Sequence, residues 1–287
     1  MLVTAIWGLN FSIIKLGLKS VDPFVLAGIR FTLCALPAVF FIRRPKVKLS
    51  YLISYGLVFG VGLWGVVNLS IEAGLSAGIA SLLLQMSAFF SILLGAATFR
   101  ESISKFQCAG LLLASLGLAC VVTLTDGSAT FAGIVLIIAG AASWSVANIV
   151  IKKSGTNEVL AFLVWSSLFS PIPLFLIAWV DHGTAAYVQT FARIDGRAIF
   201  SIFFQVYPTT LFGYWIWNSL LKKYPVSTVA PLSLLVPIFG MLGSMIVFSE
   251  HIGVTKLLAM LFIVLGLVTG LYGRRLSAVL ISRQIRP

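Results

Sequence analysis

The stretch ASLLLQMSAFFSILLGAATFRESISKFQCAGLLLASLG, from Ala80 to Gly117, sets the plan of the whole chain. It contains an apolar run of helix length, a break at Arg100-Glu101, and a second apolar run with spaced glycines. Nearly the same plan recurs in APLSLLVPIFGMLGSMIVFSEHIGVTKLLAMLFIVLG, from Ala230 to Gly266. Glu101 and Glu250 take the same place in the two copies, at an offset of 149 (250 − 101). The sequence therefore indicates one half followed by a diverged second half.

The composition indicates that the solvent of this protein is mostly lipid. Of its 287 residues, 60% are hydrophobic and 10% are charged, whereas a soluble domain carries about 25% charged residues. The net charge of +12 is typical of Lys and Arg retained on the cytoplasmic side of a membrane, so no nucleic-acid partner is predicted. Cys34, Cys108 and Cys120 all fall inside apolar runs, which implies no disulfide framework.

We predict an all-α integral membrane protein with ten transmembrane helices. Ten runs are long enough, or nearly so, to cross roughly 30 Å of hydrocarbon, and backbone groups in lipid must form their hydrogen bonds internally. The runs cover residues 2–19, 24–42, 51–70, 76–99, 104–124, 131–151, 159–180, 198–221, 226–249 and 254–273. They divide into a first five-helix repeat at 1–125, a second at 129–275 and a tail at 276–287.

The basic residues predict how the chain is oriented. Alternate connections and ends hold 14 of the 20 Lys and Arg on one side and 4 on the other, with Lys15 and Arg30 inside the runs. By the positive-inside rule, the first side and both termini are cytoplasmic. Because each half has five helices, an odd number, the second half is expected to be inverted relative to the first. Such repeats place a substrate site near the bilayer midplane.

The chain resembles the EamA family of the drug/metabolite transporter superfamily. The resemblance rests on Trp7-Gly8-Leu9-Asn10-Phe11, on Asp22-Pro23 with Arg30, and on the repeated Glu-to-Gly segments. Pro237 also matches a proline that the family often has, whereas the first copy has Ser87 there. The resemblance implies a bacterial inner-membrane exporter of amino acids or similar metabolites, and the aromatic content is similar to that of exporters of aromatic and neutral amino acids.

Pairs of an aromatic residue and an asparagine at helical spacing are the first candidates for substrate binding. Each pair lies on one helix face, and a buried amide in lipid needs polar partners. We expect these faces to line a central cavity; the alternative is that the asparagines join helices to one another. The pairs are Trp7 with Asn10, Trp64 with Asn68, Trp144 with Asn148, and Tyr214 with Asn218.

Two further groups complete the candidate site. Ser81 and Gln85 form a polar stripe on the fourth helix and are predicted to bind substrate. Pro208, Pro231 and Pro237 are candidate hinges because proline removes an intrahelical hydrogen bond; passive bends are the alternative.

Lys15 and Arg30 are the charges inside the spans. We expect both to reach the membrane surface along their alkyl stems, the alternative being that they meet a substrate carboxylate. All eight Asp and Glu residues lie at helix ends or in loops, so we hypothesise export down a gradient without proton coupling.

The sequence thus favours a monomeric exporter of small amphiphilic metabolites that works by alternating access, with the lipid bilayer and a small-molecule substrate as its partners. A carrier of cationic drugs and a non-transporting assembly subunit remain alternatives. No enzyme, cofactor or metal is predicted. The one catalytic motif, G-x-S-x-G at 74–78, lacks an intramembrane His and is interpreted as a tight turn.

Overall fold

A computed structural model describes residues 1–100, 102–224 and 230–284. Side chains are described for these residues except Phe99, Asn218, Leu221, Lys222, Ala230, Pro231 and residues 274–284. Glu101 and the side chains of the predicted site residues Asn218 and Pro231 therefore lie outside the described part of the chain.

Every regular element in these ranges is helical. The helices are α1 Leu2–Gly17, α2 Pro23–Ala35, α3 Leu49–Glu72, α4 77–99, α5 Lys105–Val122, α6 Phe131–Ser154, α7 Val159–His182, α8 Ala185–Arg193, α9 196–223, α10 230–248 and α11 Val254–Gln284. Seven segments of the described chain are long and apolar enough to cross a membrane: α2 with its extension to Phe40, and α3, α4, α5, α6, α7 and α11. The helices α1 and α10 are apolar but shorter.

Local signals explain where several helices begin and end. The Asp22 carboxylate accepts hydrogen bonds from the amides of Phe24 and Val25 at 2.9 and 3.0 Å, so Asp22 caps α2 as its position before Pro23 predicts. The Ser104 hydroxyl accepts from the amide of Gln107, whose side-chain oxygen accepts from the Ser104 amide, and this reciprocal pair starts α5.

Two irregular features recur at the offset that relates the two halves. In α3 the segment Gly56–Gly65 is a wider π-helical turn, and in α9 the segment Gln205–Phe212 is another. Their starts are 149 residues apart (205 − 56). Arg100 and Ser249, also 149 apart (249 − 100), end α4 and α10 in the left-handed conformation. Non-glycine residues seldom adopt that conformation, and π-helical turns often occur at functional sites.

The glycine-rich helices α5 and α11 pack together in opposite directions. A Cβ atom added to Gly110 would lie 2.5 Å from the carbonyl oxygen of Gly266, and one added to Gly117 would lie 2.6 Å from the side chain of Ile263. Small residues allow helix backbones to approach this closely in lipid. The two helices therefore form a closely packed pair, called here the scaffold.

The helices α4 and α10 also cross in opposite directions. Gly78 faces Met241 and Ser244, and the Ser81 side chain contacts Gly240. One turn further along α4, the Gln85 amide donates to the carbonyl of Ser233 at 3.3 Å. Moving along α4 therefore means moving backwards along α10.

The bundle has two chemically distinct ends. One end, called here the basic end, carries Arg44 and Lys48 in the connection after α2, Lys105 at the start of α5 and Lys153 in the last turn of α6. The other, called the ion-pair end, carries the pairs Lys15–Glu250 and Lys256–Asp126, with N···O distances of 2.7 and 2.8 Å.

Candidate functional site

A cavity of about 610 Å³ lies between the two halves and reaches the surface at the basic end. Lys152, Thr156 and Val159, in and around the connection between α6 and α7, form its rim. Trp64 and Phe11 lie at its inner part, and the residues of the two ion pairs do not line it. The cavity is therefore open at the basic end, and the two ion pairs lie outside it at the other end of the bundle.

Seven of the twenty described lining residues of the cavity are aromatic. The ring of Trp7 lies 5.3 Å from that of Tyr214 and 5.2 Å from that of Trp217, between centroids. The indole N–H of Trp7 donates to the carbonyl of Thr209 at 3.0 Å, which fixes the ring against the π-helical turn of α9. Trp144 and Tyr55 face the cavity from α6 and α3. Rigid aromatic faces suit an apolar or aromatic side chain of a ligand.

A few polar groups interrupt this aromatic wall. Gln85 donates to Ser233, so its amide joins α4 to α10 at the cavity surface. The Asn148 amide donates to the hydroxyl of Ser91 at 3.3 Å and is exposed in the cavity. Lys152 adds a positive charge at the rim, and the described lining includes no Asp or Glu. The polar groups can orient a ligand while the aromatic faces supply most of the contact area.

Six of the predicted substrate-binding residues meet at this cavity: Trp7, Trp64, Gln85, Trp144, Asn148 and Tyr214. Three others do not line the cavity: Asn10 and Asn68 bond to neighbouring helices, and Ser81 bonds within α4. The Asn10 oxygen accepts from the Thr209 hydroxyl at 3.1 Å, the Asn68 amide donates to the carbonyl of Pro23 at 3.0 Å, and the Ser81 hydroxyl donates to the carbonyl of Gly78 at 2.7 Å.

The candidate hinges differ in their surroundings. Pro208 lies inside the π-helical turn of α9, where it has no backbone N–H to donate to the intrahelical hydrogen bonds. Pro237 lies at the start of the α-helical part of α10, where that N–H would have no intrahelical partner. The backbone of Pro231 belongs to a 3₁₀ turn, Ala230–Leu235, that precedes this part.

Several lining residues were not predicted from the sequence, among them Phe11, Tyr55, Ser87, Thr209 and Trp217. A signal existed for Trp217, which follows Tyr214 by three residues and so shares its helix face. No such signal marks Tyr55 or Thr209, because their orientation depends on the π-helical turns.

The expectation for Arg30 is wrong. Its side chain does not reach the membrane surface but is fully buried between α2, α3 and α9. Its guanidinium lies 4.1 Å from the centre of the Trp64 ring, and it donates to the Thr210 hydroxyl at 3.0 Å and to the Gln205 side-chain oxygen at 3.5 Å. Lys15, in contrast, reaches the ion-pair end as expected and pairs there with Glu250.

Hydrogen bonds at the ion-pair end lower the pKa values of Glu250 and Asp126. Burial alone would raise the pKa of Glu250, but the hydrogen bond from Lys15 contributes to a net lowering. Burial would likewise raise the pKa of Asp126, but hydrogen bonds from Lys256 and Ser128 outweigh it and lower the pKa to about 2. Among the described residues, no group of three or more His, Cys, Asp or Glu side chains is placed to hold a metal ion.

Two relatives match nearly the whole chain. A protein of Escherichia coli named "Probable amino-acid metabolite efflux pump" is 38% identical over 281 residues, which cover 96% of this chain and 94% of that protein. A Salmonella typhimurium protein of the same name matches with the same identity and coverage. An Archaeoglobus fulgidus protein named "Uncharacterized transporter" is 28% identical over 87% of this chain and 88% of its own.

A solved crystal structure shares the fold. It superposes with a TM-score of 0.60 at 18% sequence identity, over 100% of this chain and 97% of that one. The model of the EamA-like transporter family matches twice, at residues 1–123 and 131–271. These matches span both halves and agree with the apolar spans of the structure. The chain therefore belongs to the EamA-like transporter family and is a multi-pass membrane protein.

Proposed function

We propose that this protein exports small amphiphilic metabolites, above all neutral and aromatic amino acids, through the aromatic cavity. The observation that carries the proposal is the cavity itself: about 610 Å³, aromatic, with a few amide and hydroxyl groups and a lysine at its rim. That volume lies within the usual range for small-molecule sites, about 300–1,000 Å³. The printed names of two relatives, both amino-acid metabolite efflux pumps, support the same substrate class.

The charge of the cavity favours amino acids over cationic drugs. A carrier of cations is expected to offer a carboxylate to its substrate, since a desolvated positive charge needs a partner. The described lining offers aromatic faces, amides and hydroxyls instead, and no carboxylate. A neutral or zwitterionic ligand fits such a lining better than a lipophilic cation does.

The proposed architecture is ten spans in two inverted five-helix repeats, at residues 1–125 and 129–275. In this scheme α4 corresponds to α10 and α5 to α11, and both pairs cross in opposite directions, as inverted partners must. The matched π-helical turns and left-handed helix ends support the same correspondence. The positive-inside rule places the basic end and both termini in the cytoplasm of a bacterial inner membrane, so the cavity is open to the cytoplasm, where an exporter loads.

Export then needs a second state in which the basic end closes and the ion-pair end opens. The Lys15–Glu250 pair joins the end of α1 to the end of α10 and must break in that step. The 3₁₀ turn before Pro237 and the π-helical turn at Pro208 are the places where α10 and α9 would bend. The monomer is sufficient for this cycle. Since the described lining carries no acidic group, we propose transport down a gradient without proton coupling.

The test is counterflow in liposomes that contain the pure protein. Wild-type protein is expected to exchange labelled phenylalanine, and Trp144→Leu is expected to lower the rate about tenfold because it removes one wall of the cavity. Trp179→Leu is the matched control, since Trp179 is exposed away from the cavity. Exchange of cationic dyes but not of amino acids would refute the substrate class. Uphill transport that strictly requires a pH gradient would refute uncoupled export.

A further inference from the structure

The most unusual group in the membrane-spanning part is Arg30, a charged side chain with no exposed surface. Among the described residues no carboxylate lies within ion-pair distance of it. Buried charges in proteins are ordinarily paired with an opposite charge or a metal ion. Inside a membrane such a group is a functional candidate whose partner needs to be identified.

The neighbours of Arg30 position the guanidinium without neutralising it. Its Nε and Nη2 atoms donate to the Thr210 hydroxyl at 3.3 and 3.0 Å, and its Nη1 atom donates to Gln205 at 3.5 Å. Gln205 in turn donates to the hydroxyl of Ser201 at 3.0 Å, which donates to the carbonyl of Ile13 in α1. The π-helical turn of α9 therefore fixes Arg30 from one side and connects it to α1.

These three bonds leave part of the guanidinium unused. An arginine has five N–H donors, so two remain (5 − 3), one on Nη1 and one on Nη2. Two N–H groups on neighbouring nitrogens are what a carboxylate accepts in a bidentate pair. The protein provides the positive charge and its support but, in its described part, no anion.

Two further donors nearby also lack acceptors. The Trp64 indole N–H and the Asn10 amide nitrogen are buried and have no hydrogen-bond partner among the described residues. Trp64 stacks on Arg30, and Asn10 bonds to Thr209, the neighbour of the Thr210 that holds Arg30. Unsatisfied buried donors are uncommon in native proteins and call for an explanation. All of these groups are donors, so they suit one kind of ligand, an anion.

Arg30 lies directly behind the cavity wall. Trp64 and Thr209 line the cavity, and Arg30 contacts the first of them and the residue next to the second. The Trp64 ring, 4.1 Å from the guanidinium, therefore contacts both Arg30 and the ligand space. Trp64 belongs to the π-helical turn of α3, and Gln205 and Thr210, which hold Arg30, belong to the corresponding turn of α9.

We propose that Arg30 is the specificity-determining residue for the substrate carboxylate, screened by Trp64 until substrate displaces the ring. This inference rests on the proposed function and narrows it: the carrier requires a free carboxylate on its substrate. The aromatic wall holds the side chain of the amino acid, and the carboxylate becomes the missing counter-ion of Arg30. Esters, amides and decarboxylated amines are poor substrates because they leave the guanidinium unpaired.

The experiment compares two labelled compounds, phenylalanine and phenylalaninamide, in counterflow with liposomes that contain the full chain. Wild-type protein should prefer phenylalanine by about 10- to 150-fold, the range expected for a hydrogen bond to a charged group. Arg30→Gln should reduce this ratio to near one by losing phenylalanine flux and keeping phenylalaninamide flux. Lys19→Gln, which removes an exposed charge at the ion-pair end, is the control and should keep the wild-type ratio.

Arg30→Lys tests the same role of Arg30 if Arg30→Gln does not yield folded protein. It keeps the charge but not the planar pair of donors. Its ratio of phenylalanine flux to phenylalaninamide flux should therefore be lower than that of the wild type but higher than one. A variant that is folded, by size-exclusion profile and melting curve, and loses both fluxes equally would overturn the proposal and leave Arg30 a structural role. A wild-type protein that carries phenylalaninamide as well as phenylalanine would overturn it while leaving amino-acid export intact. A wild-type protein that carries neither would overturn the proposed function itself.

Discussion

The crossing of α4 and α10 makes a quantitative prediction about Gly240. A Cβ atom at this position would fall well inside contact distance of the Ser81 side chain, whereas the next neighbour, the carbonyl oxygen of Gly8, would lie at an ordinary 3.6 Å. Gly240→Ala therefore collides with one residue only. Ser81→Gly removes that residue's side chain, so the double variant should fit where the single one does not.

The magnitudes follow from this geometry. Overpacking a close contact destabilises a fold by about 1 to 3 kcal/mol. Alanine in place of a helical glycine stabilises it by about 0.5 to 1 kcal/mol. Gly240→Ala should thus destabilise the fold by up to about 2.5 kcal/mol, and Ser81→Gly by about 0.5 kcal/mol through helix propensity. Because the collision disappears in the double variant, the two changes should be coupled by about 1 to 3 kcal/mol in the direction of rescue.

The assay is reversible unfolding of the purified variants in mixed micelles, followed by counterflow at a temperature at which all of them are folded. Gly196→Ala is the matched control, since a Cβ there meets nothing within 4 Å. It should leave stability unchanged or slightly raised. Additive effects of Gly240→Ala and Ser81→Gly would refute the close antiparallel crossing of the two helices.

Three further predictions concern the cavity and the ion-pair end. Gln85→Leu removes an amide from the cavity wall and should lower phenylalanine counterflow about five- to tenfold, the equivalent of one hydrogen bond; an unchanged rate would remove Gln85 from the site. Lys15→Glu and Glu250→Lys should each slow transport severalfold, because each puts two like charges where Lys15 and Glu250 now pair at 2.7 Å. The double exchange should restore the rate. If it does not, the pairing is contradicted. The Asp126 carboxylate, with its pKa lowered from 3.8 to about 2, stabilises the fold above pH about 4, and this contribution is lost as the pH falls to 2. Wild type should exceed Asp126→Asn by about 0.5 to 1 kcal/mol at pH 7, as expected for a partly exposed pair, and the two melting curves should converge near pH 2; a difference that survives there would contradict the assignment.

The scaffold could be predicted from the sequence because its signal is local. The spacing of Gly110 and Gly117 on α5, and of Gly266 and Gly270 on α11, defines one smooth face on each helix. Two such faces without polar groups have few ways to pack in lipid except against each other. The structure shows this packing.

The orientation of the asparagines could not be predicted in the same way. Spacing shows which residues share a helix face but not which neighbour that face meets. In α3 the π-helical turn ends at Gly65, between Trp64 and Asn68, and a wider turn advances each residue by a smaller angle than an α-helix does. Trp64 consequently lines the cavity while Asn68 bonds to Pro23.

The burial of Arg30 could not be predicted from the sequence either. Its partners Gln205 and Thr210 are 175 and 180 residues further along the chain. Nothing in the pattern of α2 indicates that α9 carries them on a π-helical turn. A lysine or arginine in an apolar run ordinarily extends to the membrane surface, and only tertiary structure shows that this one is enclosed.

The most direct test of the inverted arrangement is to find on which side of the membrane Ser102 and His251 lie. They are corresponding positions, 149 apart (251 − 102), and both are exposed. Each would be changed to cysteine in a chain whose Cys34, Cys108 and Cys120 are replaced, and labelled in intact cells with a thiol reagent that cannot cross the membrane. The account predicts that His251→Cys is labelled from outside and Ser102→Cys only after the cells are opened; labelling of both from the same side would contradict it.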